Sequence, residues 1–270
     1  MKYCFSTLGC PQFSFNDIYA TAIDLGYDAI EIRGIGKEMY APKIKEFSGK
    51  DLSENMEKLK KAGLEISVFS SGAYVFDKNL KIEVIQEAYD YIDLCQKANV
   101  KYVRVLADKD AAPDKAPDID YTATVLKTIC QYGKSKNVDI LIETNGIFAE
   151  SDTVLKLLDK VNEKNLFLIW DIHHTVRFFD EKPKETCTKL KNYIKHVHIK
   201  DSYVMDGKIK YCMTGSGTLP LKEALTCLKN INYTGFISLE WVKRWAPSLE
   251  ESSIVFPQFI SYMKHLEKTL

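Results

Sequence analysis

The sequence predicts an α/β protein that folds as a (β/α)₈ TIM barrel, with one domain over residues 1–270. The length is near the roughly 250 residues typical of that fold. Eight strand-like segments alternate with helical ones, which indicates a parallel sheet. An open doubly wound sheet is the alternative, and it ranks lower because the strand count reaches eight and no GxGxxG follows the first strand. No Pro/Ser-rich linker divides the chain.

Short runs of β-branched and aliphatic residues mark the strands, and most follow a Gly or Asn suited to ending the preceding helix. The predicted strands are Lys2–Leu8, Gly26–Ile32, Gly63–Phe69, Asn99–Val105, Asn137–Glu143, a sixth ending at Asp171, a seventh ending at Lys200, and Gly235–Glu240. Between them, apolar residues recur at helical spacing. The clearest predicted helices are Asn16–Leu25, Asp51–Ala62, Lys81–Ala98 and one that begins at Ser151.

The composition is that of an ordinary globular protein, with 46% hydrophobic and 27% charged residues. Lys plus Arg and Asp plus Glu both number 37, so a zero net charge gives no reason to expect nucleic acid or an anionic membrane as partner. Seven scattered cysteines without CxxC spacing indicate reduced thiols in a cytoplasmic protein. We expect neither a signal peptide nor a membrane span. Homo-oligomerisation is left open.

Four polar residues lie at the C-terminal ends of the last four predicted strands: Glu143, Asp171, His198 and Glu240. In a barrel these strand ends converge on one rim, where three carboxylates and an imidazole would repel each other without a cation. Side chains alternate along a strand, and that alternation lets Glu143, His198 and Glu240 all point toward the barrel axis. A single Glu or His of this kind is usually solvated or structural. Four in register favour a divalent metal site.

The donor set is rich in oxygen and has one nitrogen. Mn²⁺ suits such a set better than Zn²⁺, which prefers more nitrogen or sulfur. Mn²⁺ is therefore the favoured cofactor, with Mg²⁺ or Co²⁺ as alternatives.

Five motifs resemble those of the sugar phosphate isomerase/epimerase superfamily, also called xylose isomerase-like TIM barrels. They are Leu141–Asn145, Trp170–His174, His196–Asp201, Thr214–Gly217 and Ser238–Trp241. The resemblance spans nearly the whole chain, and the motifs are specific for the superfamily but not for a substrate. It implies that Glu143, Asp171, His198 and Glu240 are metal ligands. It also implies that His174, three residues after Asp171, binds substrate.

The paired glutamates predict general acid–base chemistry. With a divalent cation polarising a keto sugar, Glu143 and Glu240 would stand on opposite sides of the carbon chain. One would remove the proton beside the carbonyl and the other would return it, through an enediolate. We therefore expect a metal-dependent isomerase or epimerase of a small keto sugar or polyol, active in carbohydrate metabolism.

Four further residues are candidate substrate contacts. Arg177 follows His174 and could bind an anion or hydroxyl, although an ion pair with Asp180 or Glu181 is an equal alternative. Lys200 lies one alternation beyond His198. Asn145 occupies a position where many relatives carry His, and it cannot take a proton near neutral pH. Trp241, with Trp245 and Phe13, could supply an apolar wall for a sugar.

Three other interpretations bear on the same site. A lyase or dehydratase would begin with the same proton abstraction and then expel a leaving group from a keto sugar, glycoside or dehydroshikimate-like substrate. A non-catalytic barrel that binds a partner subunit is disfavoured by the intact glutamate pair. Arg104, a charged residue inside an apolar strand, is expected to pair with Glu31 in a structural role.

Overall fold

The computed structural model describes residues 1–79 and 81–270, in which eight parallel strands close into a barrel. These strands are β1 Lys2–Ser6, β2 Ala29–Ile32, β3 Glu65–Tyr74, β4 Tyr102–Leu106, β5 Asp139–Glu143, β6 Leu166–Asp171, β7 Ile194–Ile199 and β10 Phe236–Leu239. Around the barrel they follow chain order, and β10 closes the ring by pairing with both β7 and β1. The predicted (β/α)₈ architecture is confirmed.

Nine α-helices lie in the described part of the chain. They are α1 Phe15–Leu25, α2 Gly49–Lys61, α3 Lys81–Ala98, α4 Ile119–Ser135, α5 Ser151–Val161, α6 Ile172–Phe179, α7 Pro183–Leu190, α8 Leu221–Asn230 and α9 Ser252–Glu267. Four of the residues predicted to end helices adopt left-handed backbone angles: Gly26 (φ 68°), Gly63 (φ 69°), Asn99 (φ 54°) and Asn137 (φ 58°). Before the last strand, Asn232 (φ 54°) takes that role and not Gly235. Such angles let the chain leave a helix and re-enter the barrel within two or three residues.

The core has two parts that match the predicted alternation of side chains. The larger part lies between strands and helices and includes Ile140 and Ile142. The smaller part fills the barrel interior with Val68, Leu141 and Ile169. Leu141 therefore points inward and its neighbours outward, which directs Glu143 toward the axis as the sequence pattern predicts.

The structure adds two elements that the sequence analysis did not predict. Strands β8 Asp201–Met205 and β9 Lys208–Cys212 form an antiparallel hairpin directly after β7. Helix α6 begins at the residue after Asp171, so His173 and His174 lie on a helix and not on a strand end. Strand β3 also extends to Tyr74, five residues beyond its predicted end.

Across residues 1–79 and 81–270, we find no helix with both the length and the apolar character needed to cross a membrane.

Candidate active site

The four predicted ligands meet at the C-terminal rim of the barrel, and we call them the four-ligand cluster: Glu143, Asp171, His198 and Glu240. One donor atom from each lies within 4.8 Å of the others, and all four side chains are buried. His198 Nδ1 is 3.5 Å from a carboxylate oxygen of Glu143, 3.5 Å from one of Glu240 and 3.8 Å from one of Asp171. The imidazole nitrogen thus faces three carboxylates at once.

Glu31 on β2 orients the His198 ring, a role that the sequence analysis missed. Its Oε2 accepts hydrogen bonds from His198 Nε2 (2.9 Å), His196 Nε2 (3.2 Å) and Ser238 Oγ (2.8 Å), while Oε1 accepts one from Ser70 Oγ (2.7 Å). Because Nε2–H of His198 is held by a carboxylate, Nδ1 is the ring atom left to face the cluster. Glu31 precedes the strand end by one residue on an apolar strand, so a motif search had only its charge as a signal.

The residues present fit a divalent cation. His198 Nδ1 is buried and has no hydrogen-bond partner among the described residues, although three carboxylates surround it. The three carboxylates of the cluster contact two buried cationic side chains, Arg104 and Lys200. Glu31, which is bound by His196 and His198, adds a fourth negative charge. With both histidines neutral, as a metal-binding imidazole is, two negative charges remain, the charge that one divalent ion would balance. Carboxylate oxygens with a single imidazole nitrogen are suitable ligands for such an ion.

Electrostatics in the cluster follow from burial and these charges. Burial alone raises the pKa of Glu143, but His198 and Arg104 outweigh it and hold that pKa well below its usual range. Burial would lower the pKa of His198, yet Glu31, Glu240 and Glu143 together raise it well above its usual value. The pKa of Asp171 is raised, because burial exceeds the attraction of Lys200. Glu143 is consequently an ionised carboxylate.

Arg104 and Lys200 connect the cluster to the cavity above it. Arg104 Nη1 donates to Glu143 Oε2 at 2.8 Å, and its Nη2 donates to the carbonyl of Ser71 at 2.7 Å. The predicted pairing of Arg104 with Glu31 is therefore wrong, because Glu31 is already bound by two histidines and two serines. Lys200 Nζ donates to Asp171 and, at 2.6 Å, to Glu240 Oε2, which places it in the site as the alternation along β7 predicts.

Asp171 ends β6 and also caps α6. Its Oδ1 accepts the backbone N–H of His174 at 3.1 Å, which explains their spacing of three residues. His174 Nδ1 lies 3.1 Å from the carbonyl of Thr144, and burial together with Lys200 lowers the pKa of His174 to about 3. His174 is thus neutral and lines the cavity. His173, which the sequence analysis left unassigned, is buried against Tyr211, and neither ring nitrogen has a hydrogen-bond partner in the described chain.

A cavity of about 560 Å³ opens above the cluster, within the range of small-molecule sites. Of the predicted substrate contacts, His174, Lys200 and Asn145 line it. Asn145 Nδ2 donates to the carbonyl of Asp108 at 2.8 Å, and its buried Oδ1 has no partner within the described residues. Trp245, which is 60% exposed, contributes an apolar surface.

Two predicted contacts lie elsewhere. Trp241 is buried beneath the rim, where its Nε1 donates to the carbonyl of Glu250, and Trp245 takes the position on the cavity wall. The guanidinium of Arg177 binds Ser202 and Thr218 instead of the cavity, and it forms no ion pair with Asp180 or Glu181. The unpredicted hairpin explains this result, because Ser202 on β8 supplies acceptors that the sequence did not reveal.

The Thr214–Gly217 loop, a place where barrel enzymes often bind phosphate, is occupied by a carboxylate of the chain itself. Asp201 Oδ2 accepts the N–H groups of Gly215 (2.8 Å) and Gly217 (3.0 Å). A Cβ on Gly217 would lie 2.1 Å from Asp201 Oδ1, so only glycine permits this approach. The loop is therefore a structural anchor for the hairpin and has no free backbone donors for phosphate at these two residues.

Residues 19–256 match the xylose isomerase-like TIM barrel family. The chain belongs to this family. A fructoselysine 3-epimerase of Shigella flexneri is 23% identical to this chain over 261 residues, which cover 90% of each protein. This match and the predicted superfamily agree.

Solved structures of other proteins share the fold. The structure of the IolI protein, which holds a zinc atom, has a TM-score of 0.81 at 18% identity and covers 100% of this chain and 99% of that one. The probable 3-DHS dehydratase AsbF of Bacillus anthracis has a TM-score of 0.79 at 20% identity, covering 98% and 99%. At these identities the likeness establishes the architecture of the barrel.

Proposed function

We propose that this protein is a divalent-metal-dependent epimerase or isomerase of a small keto sugar, in which Glu143 and Glu240 exchange a proton with the carbon beside the carbonyl. The observation that carries the proposal is the placement of these two glutamates. Both line the same cavity, and a carboxylate oxygen of each is 3.5 Å from the same ring nitrogen of His198. The epimerase activity in the name of the Shigella flexneri relative agrees with this chemistry.

Glu143, Asp171, His198 and Glu240 would hold the cation, with Mn²⁺ as our choice. When bound, the cation would stabilise the negative charge that develops on the substrate oxygens. The remaining steps belong to side chains. A carboxylate takes the proton from carbon, and the second glutamate returns one to the opposite face, which inverts that centre. Return to the neighbouring carbon would give an isomerase instead.

Neutral and cationic groups around the two glutamates would orient the substrate. Lys200 donates to Glu240 and can also donate to a substrate oxygen on the same side of the cavity. The buried Oδ1 of Asn145 can accept a substrate hydroxyl, and Trp245 can pack against a sugar face. Because Asn145 does not exchange protons near neutral pH, the acid–base work falls to the glutamates.

The test is deuterium exchange. Protein loaded with Mn²⁺ should catalyse incorporation of solvent deuterium beside the carbonyl of a keto sugar, followed by NMR over a panel of ketoses. Turnover without deuterium in the product would point to a hydride shift and would overturn the two-glutamate mechanism. Loss of a leaving group after exchange would favour the lyase alternative, which the dehydratase name of AsbF keeps open.

A further inference from the structure

Arg33 is a buried cation on the cavity wall that the proposed chemistry does not use. It follows β2 directly, so it lies on the same rim as the four-ligand cluster. Its backbone N–H donates to Thr7 Oγ1 at 2.9 Å, and Gly34 turns the chain immediately afterwards with a φ of 119°. A side chain on Gly34 would meet the carbonyl of Glu38 at 2.7 Å. The backbone of Arg33 is thus held rigidly where the side chain can reach the cavity.

The guanidinium of Arg33 forms no ion pair within 4.0 Å in the described part of the chain. Only 8% of the residue is exposed, and its one side-chain hydrogen bond in the described chain is a long contact of 3.4 Å from Nη1 to the carbonyl of Met39. The nearby carboxylate of Glu87 accepts the N–H of Gly72 at 2.6 Å, and it forms no ion pair with Arg33 within 4.0 Å. Nε and Nη2 therefore remain available on a wall of the cavity.

Comparison with Arg104 shows how unusual this is. Arg104 is also buried, but it pairs with Glu143 at 2.8 Å and donates to the carbonyl of Ser71. Burial and the charge of Arg104 both lower the pKa of Arg33, which is the response of a cation held close to another cation. A buried charge without a partner is costly, and a negative group in the cavity would remove that cost.

The surroundings of Arg33 suit an anion. Tyr74 lines the same cavity close to Arg33, and its hydroxyl has no hydrogen-bond partner within the described residues. Asp110 also lines the cavity, but it is exposed beside Lys109, where water screens its charge. The alternative phosphate position, the Thr214–Gly217 loop, is already filled by Asp201.

We propose that Arg33 binds an anionic group, a carboxylate or a phosphate, at the end of the substrate remote from the reacting carbon. The substrate would then be an anionic keto sugar. A planar guanidinium with free donors matches both groups, since each offers two oxygens at the right spacing. This inference rests on the proposed function, because it names the class of that substrate, but binding can be measured without turnover.

Three matched probes test it: D-fructose, D-fructose 6-phosphate and D-fructuronate, which differ only at the terminal carbon. Calorimetry on the Mn²⁺-loaded protein should show at least one anionic probe binding at least tenfold more tightly than D-fructose. The preferred anionic probe distinguishes phosphate from carboxylate. Arg33→Gln should weaken binding of that probe roughly 10- to 100-fold, the worth of a charge-assisted hydrogen bond, and change D-fructose binding less than threefold.

Lys37→Gln is the matched control, because it removes an exposed positive charge from the same loop and outside the cavity lining. It should leave all three affinities unchanged. Arg33→Lys keeps the charge but loses the planar fork, so it should weaken binding of the anionic probe only. This variant tests the proposal if Arg33→Gln does not fold. Equal binding of the three probes, binding of none, or an equal loss for all three in the Arg33 variants would overturn the proposal. Selective anion binding without deuterium exchange would instead support Arg33 and contradict the proposed function.

Discussion

At the scale of single residues, His198 shows how a buried imidazole can be oriented so that one ring nitrogen faces three carboxylates. Glu31 holds its Nε2–H at 2.9 Å, so Nδ1 faces Glu143, Asp171 and Glu240. Neither the ring orientation nor the charge of the cluster would be stable if Glu31 were absent, since the ring could then rotate or change tautomer. The site thus depends on one residue from β2 that does not line the cavity.

The two glutamates are expected to control turnover. Glu143→Gln and Glu240→Gln each keep an oxygen donor but remove the base. Turnover at saturating Mn²⁺ should fall by roughly 10²–10⁴-fold, the usual worth of general acid–base catalysis, and deuterium incorporation should fall with it. Metal content must be measured in the same samples, because either substitution can also weaken binding of the cation.

Glu65→Gln is the matched control for these variants, since Glu65 is exposed at the opposite end of β3. It should turn over like the unmodified protein. A Glu143 or Glu240 variant that retains its metal and its full rate would show that the glutamate concerned is only a ligand.

A second residue-scale prediction concerns Glu31. Glu31→Gln should weaken Mn²⁺ affinity about 10- to 100-fold, the typical effect of removing a group that orients a metal-binding histidine. Ser70→Ala is the comparison, because it removes a single hydrogen bond to Glu31 and leaves the carboxylate on His198. Titration with Mn²⁺ monitored by calorimetry measures both. Equal affinities in all three proteins would contradict the role given to Glu31.

The contacts of Glu31 also show what the sequence alone does not predict at the scale of residues. The four-ligand cluster was predictable because each member lies within one residue of the C-terminal end of a strand, and these strand ends share one rim of the barrel. The partner of Glu31 was not predictable in the same way. Glu31, Arg104, His196 and His198 are all inward-facing charged or polar residues, and only the stagger of neighbouring strands decides which of them touch. In the structure, β2 reaches across to β7, and Arg104 turns to Glu143.

At the scale of elements, strand β5 was predictable from the sequence and the hairpin β8–β9 was not. Strand β5 alternates outward Ile140 and Ile142 with inward Leu141 and Glu143, so its faces were evident from the sequence. The hairpin has no such pattern, since Val204 and Met205 are exposed and its pairing is local. The hairpin nevertheless determines the position of the Arg177 side chain, which donates hydrogen bonds to Ser202 on β8. The alternating pattern of the barrel strands therefore predicts them, whereas the hairpin, which has no such pattern, is not predictable from the sequence.

Helix α1 offers a test of stability at the element scale. Ser14 and Asp17 form a reciprocal cap, in which Ser14 Oγ accepts the N–H of Asp17 and Asp17 Oδ2 accepts the N–H of Ser14 at 2.9 Å. Ser14→Ala should lower the free energy of unfolding by about 1 kcal/mol. For a chain of this length, that corresponds to a fall of roughly 2 °C in Tm, measurable by circular dichroism.

The cap should also depend on pH. Hydrogen bonds from the side chain and then the backbone of Ser14 lower the pKa of Asp17. A lowered folded-state pKa means that the stabilisation is complete above the unfolded pKa of about 4 and is lost as pH falls through the folded value. The difference in Tm between the unmodified protein and Asp17→Asn should thus be constant from pH 5 to 8 and shrink below about pH 4.

At the scale of the whole molecule, the barrel turns four separate strand ends into one charged centre. Each candidate ligand is supported by a different element: β5 for Glu143, β6 for Asp171, β7 for His198 and the end of β10 for Glu240. Closure of the barrel between β10 and β1 holds the last two strands in place, and β2 supplies Glu31 from across the lumen. Binding at this centre should consequently be linked to the stability of the entire fold.

The final prediction follows from that linkage. A cation that binds only the folded chain stabilises it by RT ln(1 + [L]/Kd), which is about 2.7 kcal/mol at 100 times Kd. For 270 residues, Mn²⁺ at that concentration should raise Tm by roughly 5 °C over protein treated with EDTA. His198→Ala should abolish the shift, because it removes the nitrogen donor of the four-ligand cluster. His265→Ala, an exposed histidine on α9, should preserve it. The midpoints of thermal unfolding in the two variants, each with and without Mn²⁺, decide the question. A shift of the same size in His198→Ala would place the cation elsewhere on the protein, and no shift in the unmodified chain would exclude a cation-linked fold.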